Sequence, residues 1–254
     1  MSTGGASPIL VGWNPVDRRP EAVFWAAETA AAHDVGLVIF SSYAELRAQE
    51  GAEAFESVRH AHQENVAGFM ERTRSWDLPC TFEQSANDVR VSLLTTADDH
   101  DAALVVIDNN RRSNPGLLHL GSETEFLAHN CNRPLAVIRT PSARGQRIVV
   151  ADDGSAHGVA AAHWATAHAQ ATTSTVKPAT VSAGARGLDQ LISTAEEINA
   201  DMFVIGAAST EGSPLNRRVG GLAMRALHET ARSLVIVPDI GTEGPSASES
   251  TSEN

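Results

Sequence analysis

The stretch ILVGWN at residues 9–14 decides the fold, because the chain repeats it as IVVADD at residues 148–153. An Ala-rich segment follows in each copy, and Trp25 in the first copy matches Trp164 in the second. Both pairs are 139 residues apart. Recurrence over such a distance indicates two copies of one folding unit and not a solenoid of short repeats.

The spacing between matching stretches becomes smaller towards the C-terminus. AALVVI at residues 102–107 returns as ADMFVI at residues 200–205, an offset of 98 residues. LAVI at residues 135–138 returns as LVIV at residues 234–237, an offset of 99 residues. The second copy therefore lacks roughly 40 residues from its middle.

Short apolar runs alternate with longer stretches of helical periodicity in both copies. The apolar runs predict buried strands and lie at residues 8–13, 37–40, 80–83, 103–107, 135–138, 147–151, 175–182, 201–205 and 234–237. The longer stretches predict helices and lie at residues 18–34, 50–76, 89–100, 121–130, 156–171, 186–198 and from 220 onward. Such alternation predicts an α/β fold with an open, Rossmann-like parallel sheet covered by helices on both faces.

The two copies are expected to form two domains of unequal size. Only residues 172–184 separate the first two predicted helices of the second copy, which leaves room for one strand and no crossover helix. We therefore predict a first domain at residues 1–141 and a second, shortened by one strand and one helix, at residues 146–240. The tail at residues 241–254 has no bulky side chain and is expected to be disordered.

Composition argues against several classes of function. The net charge of −12 disfavours nucleic acid and anionic membranes as partners. Lys177 is the only lysine, and its Thr-Val-Lys-Pro context suits neither a Walker phosphate loop nor a Schiff base. Cys80 and Cys131 have no metal-binding or redox spacing. With no secretion signal and no apolar run of membrane-spanning length, we expect a cytoplasmic protein that needs no metal.

The candidate ligand sites lie where the parallel strands end. Ligands of open parallel sheets bind outside the carboxyl ends of the strands. Long predicted loops follow two of these strands, at residues 108–120 and 206–219, and each leads to a helix that begins with glycine. Free backbone N–H groups at such helix starts favour phosphate, and loops of this length are more often functional than idle.

The strand, the long loop, the glycine at the helix start and the closing apolar strand together resemble the universal stress protein family in its tandem form. Nucleotide-binding members of that family carry Gly-x2-Gly-x9-Gly-Ser/Thr in this loop and an Asp after the first strand that holds adenine. The resemblance covers residues 8–239. It implies that the last strands of the two copies pair across a two-fold axis as an intramolecular pseudo-dimer, and that two chains form a homodimer.

The resemblance places a candidate adenine nucleotide site, with ATP as the implied ligand, in the second copy. Asp153 keeps the adenine position, Gly206 keeps the first loop glycine and Gly220 starts the helix. Ser209 replaces the second glycine, and Gly221 replaces the hydroxyl residue. Arg217 and Arg218 can either bind phosphate in compensation or form a solvated pair of loop charges. The complete set of candidate residues is Ala151, Asp153, Gly206, Ser209, Arg217, Gly220 and Gly221.

The first copy keeps the spacing of the motif but not its residues. The degenerate site consists of Asn14 at the adenine position and, along the loop and helix start, Asp108, Arg111, Gly121 and Ser122. Asp108 and Glu123 would bring two carboxylates to the place of the phosphates. Like charges about 5 Å apart cost about 3 kcal/mol at an effective dielectric constant of 20. Glu123 equally suits the first turn of a helix without any ligand, so the first copy is not expected to bind ATP.

Other chemistry has less support in the sequence. His60 with His62, and His163 with His168, lack the spacing and third ligand of a metal site and are expected on the surface or on helix faces. No carboxylate pair or general base can be named beside the phosphate loop, so we do not expect an enzyme. Two functions remain open: a nucleotide-binding regulatory protein of stress adaptation, or an interaction module that acts through its surfaces without nucleotide.

Overall fold

The computed structural model describes most of both copies of the repeat. The described residues are 6–13, 21–42, 60, 63–64, 66–68, 71, 74, 78–85, 87–108, 122–140, 142–182, 186–207 and 220–238. Most of the predicted helix at 50–76, most of the two long loops and the tail at 241–254 lie outside this set.

The described residues form one nine-stranded sheet. Its strands are β1 (Ile9–Gly12), β2 (Leu37–Ser42), β3 (Cys80–Ser85), β4 (Leu104–Asp108), β5 (Leu135–Ile138), β6 (Arg147–Asp152), β7 (Thr175–Thr180), β8 (Met202–Ala207) and β9 (Ser233–Pro238). They follow the order β3-β2-β1-β4-β5-β9-β8-β6-β7. Every neighbouring pair is parallel except β5 with β9. Each predicted strand is present, and none of the strand ends shifts by more than two residues.

Six helices with fully described bounds connect these strands. They are α1 (Glu21–His33), α2 (Val89–Asp99), α3 (Ser122–Asn130), α4 (Ala156–Thr172), α5 (Arg186–Ile198) and α6 (Gly221–Glu229). Asp88 caps α2 by accepting hydrogen bonds from the N–H groups of Arg90 and Val91, and Ser155 caps α4 by accepting one from the N–H of Gly158. The predicted helices other than 50–76 are therefore confirmed.

An approximate two-fold axis passes between β5 and β9. Leu135 lies opposite Ile236 and Val137 opposite Leu234 in an antiparallel ladder. On either side the strands follow in matching order, β4 with β8 and then β1 with β6. β7 stands in the place of β2, and the described part of the second copy has no counterpart of β3, as the shortened repeat predicts. The apolar last strands thus protect each other's edges within one chain.

The two faces of the sheet carry separate cores, because successive residues of a strand point to opposite sides. On one face, α1 and α4 pack over residues such as Val11 and Val150. On the other face, α2, α3, α5 and α6 contribute side chains to a core that includes Leu10 and Val149. Because helices cover both faces of the sheet, a ligand site can form at the carboxyl ends of the parallel strands, where the loops begin.

Candidate functional site

The turn between β6 and α4 is held by its own side chains. The N–H and the hydroxyl of Ser155 both donate to Asp153 Oδ1, at 3.0 and 2.5 Å. Ser155 Oγ in turn accepts from the N–H of Gly158 at 3.1 Å. Gly154 has a φ of +73°, a left-handed conformation that glycine adopts without strain. The Asp-Gly-Ser sequence therefore produces a preorganised turn at the end of β6.

Asp153 presents a negative charge at this turn. Its side chain is exposed, and hydrogen bonding from the Ser155 hydroxyl holds the pKa of its carboxyl below the usual value. The carboxylate is therefore ionised at neutral pH. Since both bonds from Ser155 fall on Oδ1, the second oxygen retains lone pairs that suit a donor such as the amino group of a purine.

Packing against a neighbouring helix requires glycine at position 206, which the sequence motif alone does not indicate. A Cβ at this position would overlap the backbone carbonyl of His157 and lie 2.8 Å from the His157 Cβ. The end of β8 therefore packs directly against the first turn of α4, and this contact leaves no room for a side chain at residue 206. The pairing of Val150 with Val204 puts Gly206 level with Asp152 in the sheet. Gly206 and the Asp153 turn thus share one end of the sheet.

The remaining candidates of the second copy have different surroundings. Ala151 is buried and belongs to the core below the turn. Gly220 is the N-cap of α6 and, lacking a side chain, cannot cap the first turn. Gly221 is exposed, and no described atom lies within 4 Å of the place where its Cβ would be. Ser209 and Arg217 lie outside the described residues.

The first copy ends its equivalent strand differently. Trp13 occupies the position of Asp152 and is buried, with 7% of its surface exposed, whereas Asp152 is exposed. Asp108, the counterpart of Gly206, is half-buried at the end of β4. Ser122 begins α3. The other predicted residues of the degenerate site, Asn14, Arg111 and Gly121, lie outside the described residues.

Sequence reasoning did not assign a role to Trp13. The available signal was the apolar run of β1, which continues one residue beyond the corresponding run of β6. The continued run indicates that the chain is buried at Trp13, one residue after β1, whereas it reaches solvent at the matching Asp152.

The histidines considered as metal ligands do not gather into a site. His60 lies 3.5 Å from Glu64 in an exposed pair, and His62 is outside the described residues. His163 is exposed on α4 as expected. His168 does lie on a helix face, but that face is buried and packs against Trp25. Within the described ranges, no group of three or more His, Cys, Asp or Glu side chains could hold a metal ion.

Comparison with known proteins identifies the family. The model of the universal stress protein family matches residues 6–139, which is the first copy of the repeat. The chain belongs to the universal stress protein family. A universal stress protein from Mycolicibacterium smegmatis is 27% identical over 132 residues, which cover 52% of this chain and 96% of that protein.

Solved structures resemble nearly the whole chain of this universal stress protein, and two of them serve as examples. One is a universal stress protein from Archaeoglobus fulgidus, with a TM-score of 0.70, 11% identity and coverage of 92% of this chain and 99% of its own. The other is a functionally unknown protein from Pseudomonas aeruginosa PAO1, with a TM-score of 0.71, 13% identity and coverage of 91% and 92%. At these identities the likeness shows the fold, and it extends over both repeats. No helix among the described residues has the length and apolar character needed to cross a membrane.

Proposed function

We propose that this universal stress protein is a cytoplasmic, non-enzymatic regulator of stress adaptation that binds an adenine nucleotide, with ATP as the first candidate, in its second repeat. The observation that carries the proposal is the ionised, exposed Asp153 in a rigid turn at the carboxyl end of β6. A carboxylate fixed at this edge of a parallel sheet suits the exocyclic amino group of adenine.

The start of α6 suits the phosphates of the same ligand. Gly220 at the N-cap and Gly221 at the first helical position leave the backbone N–H groups of this turn without a side-chain cap. Such N–H groups and the helix dipole favour anions. In the proposal Ser209 and Arg217, which precede α6 in the sequence, add polar and positively charged partners for phosphate.

A second candidate function is an interaction module that works without nucleotide. Gly206 favours it, because the contact with the His157 backbone explains this glycine without any ligand. In that function the antiparallel β5–β9 pairing would serve to build the intramolecular pseudo-dimer, and a homodimer of chains would present its surfaces to protein partners.

Nucleotide binding can be measured directly on the full chain. Mass spectrometry of denatured protein should detect a copurified adenine nucleotide, and added ATP should raise the melting temperature. A ligand at 100 times its Kd stabilises by about 2.7 kcal/mol. Absence of both signals at millimolar ATP would reject the nucleotide function in favour of the interaction module.

Two substitutions locate the site. Asp153→Ala should abolish the thermal shift, while Asn14→Ala, at the same position of the first repeat, should leave it unchanged. Asp153→Asn, which retains an oxygen that can accept from Ser155, controls for distortion of the turn. If only Asn14→Ala abolishes the increase in melting temperature with ATP, the nucleotide binds in the first repeat instead. ATP hydrolysis is expected to stay at the background rate in all of these proteins.

A further inference from the structure

Four aromatic side chains form a cluster where α1 of the first repeat meets α4 of the second. We call Trp25, His33, Trp164 and His168 the joint cluster. The ring of His168 stacks on Trp164 at 4.9 Å between centroids, on Trp25 at 5.4 Å and on His33 at 5.8 Å. These rings contact one another across the boundary between the two repeats.

The joint cluster is asymmetric although the repeats around it are related. Trp25 and Trp164 are equivalent, but His168 corresponds to Thr29 and His33 corresponds to Thr172. Each threonine hydroxyl donates within its own helix, Thr29 to the carbonyl of Trp25 and Thr172 to the carbonyl of His168. Both hydroxyls therefore have acceptors within their own helices. The two histidines are the side chains that make the joint cluster asymmetric.

His168 is buried in an unusual way for a titratable residue. Its side chain is 1% exposed, and neither ring nitrogen has a hydrogen-bond partner among the described residues. A buried imidazole without partners loses its hydration in either form, and the charged form loses far more. Burial, with a smaller contribution from the charge of His33, lowers the pKa of His168 to about 4.

The surroundings offer no described carboxylate that would stabilise an imidazolium at this position. From α1, the titratable group that acts on His168 is His33, which opposes protonation. Glu28 on the same helix accepts hydrogen bonds from the N–H of Ala143 and the hydroxyl of Ser142. The strands beneath α4 contribute apolar residues to this core. Of their charged residues, Arg147 pairs with Asp201 and Lys177 with Glu197, and Asp152 is exposed at the end of β6.

On the opposite face of the same junction, a histidine lies beside a carboxylate. There His228 of α6 lies 3.1 Å from Glu125 of α3, an ion pair that forms when the imidazole is charged. The guanidinium of Arg139 donates to the carbonyls of Leu227 and Thr230 at the end of α6. The junction therefore has a buried imidazole without hydrogen-bond partners among the described residues on one face, and an imidazole beside a carboxylate on the other.

We propose that His168 makes the junction of the two repeats acid-sensitive: the neutral ring holds α1 against α4, and protonation loosens this contact while the β5–β9 pairing keeps the repeats joined. The sign follows from the folded pKa, which lies below the ordinary value of 6.5. The unfolded or opened form binds the proton more readily, so the contribution of His168 is complete above pH 6.5 and declines as the pH falls towards 4. The full change corresponds to about 300-fold in the ratio of closed to open forms.

The wild-type chain allows the first test. NMR titration of the imidazole C–H signals should give His168 a pKa well below 6. Amide hydrogen exchange, corrected for intrinsic rates, should increase in α1 and α4 between pH 7 and pH 5 more than in β5 and β9. Equal increases in helices and strands, or a pKa near 6.5 for His168, would overturn the proposal.

A matched pair of variants provides the second test. His168→Phe keeps an aromatic ring in the stack without a titratable group, and His163→Phe makes the same change at an exposed position of α4. Unfolding by urea should lose stability between pH 7 and pH 5 in the wild type and in His163→Phe, and much less in His168→Phe. The same loss in all three proteins would assign the acid sensitivity to other groups and reject the role of His168.

Discussion

The carboxyl ends of β1 and β6 are equivalent positions in the two copies of the repeat, but their side chains differ in burial and charge. Trp13, directly after β1, is buried, whereas the matching Asp152 at the end of β6 is exposed, as is Asp153 after it. The ends of β4 and β8 also differ, but there the carboxylate belongs to the first copy, with Asp108 matching Gly206. Duplication therefore preserved the backbone while the side chains at the strand ends diverged.

This difference shows that the sheet and the site are specified by different residues. The inward-facing residues of β1 and β6 are similarly apolar and fully buried, so both copies keep the core that holds the strands in place. The residues just beyond the strands differ between the copies: Trp13 joins the core after β1, whereas Asp153 is exposed after β6. The second copy thus presents a carboxylate turn after β6, and the first copy has Asn14 at the matching sequence position.

The largest effect should come from the tryptophans of the joint cluster. Trp25 is fully buried, and Trp25→Ala should lower the free energy of unfolding by about 4 kcal/mol through lost burial and an unfilled cavity. Trp164, its partly buried counterpart, should lose less on the same change. Urea denaturation at neutral pH measures both. Equal losses would mean that the two repeats are more symmetric here than the structure shows.

Gly206 and Asp108 test the divergence of the strand ends. Gly206→Ala should cost about 2–3 kcal/mol, since the new Cβ must displace the His157 backbone. Asp108→Ala, the matched change in the first repeat, is expected to cost less, because that position already accommodates a side chain. Thermal or urea unfolding of the two variants decides the comparison. If Gly206→Ala leaves the free energy of unfolding unchanged, the packing explanation for this glycine is wrong.

The cap of α4 should have a moderate effect. Ser155→Ala removes the acceptor for the Gly158 N–H and the hydroxyl donor to Asp153. We expect a loss of about 1 kcal/mol, the usual contribution of an N-cap. The pKa of Asp153 should also rise towards its ordinary value, because the Ser155 hydroxyl is the main cause of its depression. NMR titration of the Asp153 carboxyl checks this, and an unchanged pKa would contradict it.

The smallest expected effect concerns the start of α6. Gly221→Ala places a methyl group in open space at the first helical position, and alanine is the better helix former by up to about 1 kcal/mol. The variant should be unchanged or slightly more stable. If it also keeps the thermal shift with ATP, the glycine is not needed for ligand approach. Loss of that shift without loss of stability would assign Gly221 to the nucleotide site.

Much of the fold could be predicted from the sequence because its signals are local. Apolar runs at β1 and β6, helical periodicity and the changing offset between repeats gave the strands, the helices and the shortened second unit. The thirteen residues at 172–184 sufficed to show that β7 has no crossover helix and strand after it. Asp153 was identified from its position after a buried strand together with the family resemblance.

By itself, then, the sequence determined that two related α/β units follow one another and which residues form their strands. The tertiary structure alone decided that His168 is buried beside Trp25 and that Gly206 lies against His157. The physical reason is distance along the chain. These contacts join segments tens to more than a hundred residues apart, and periodicity within one segment carries no information about which other segment will pack against it.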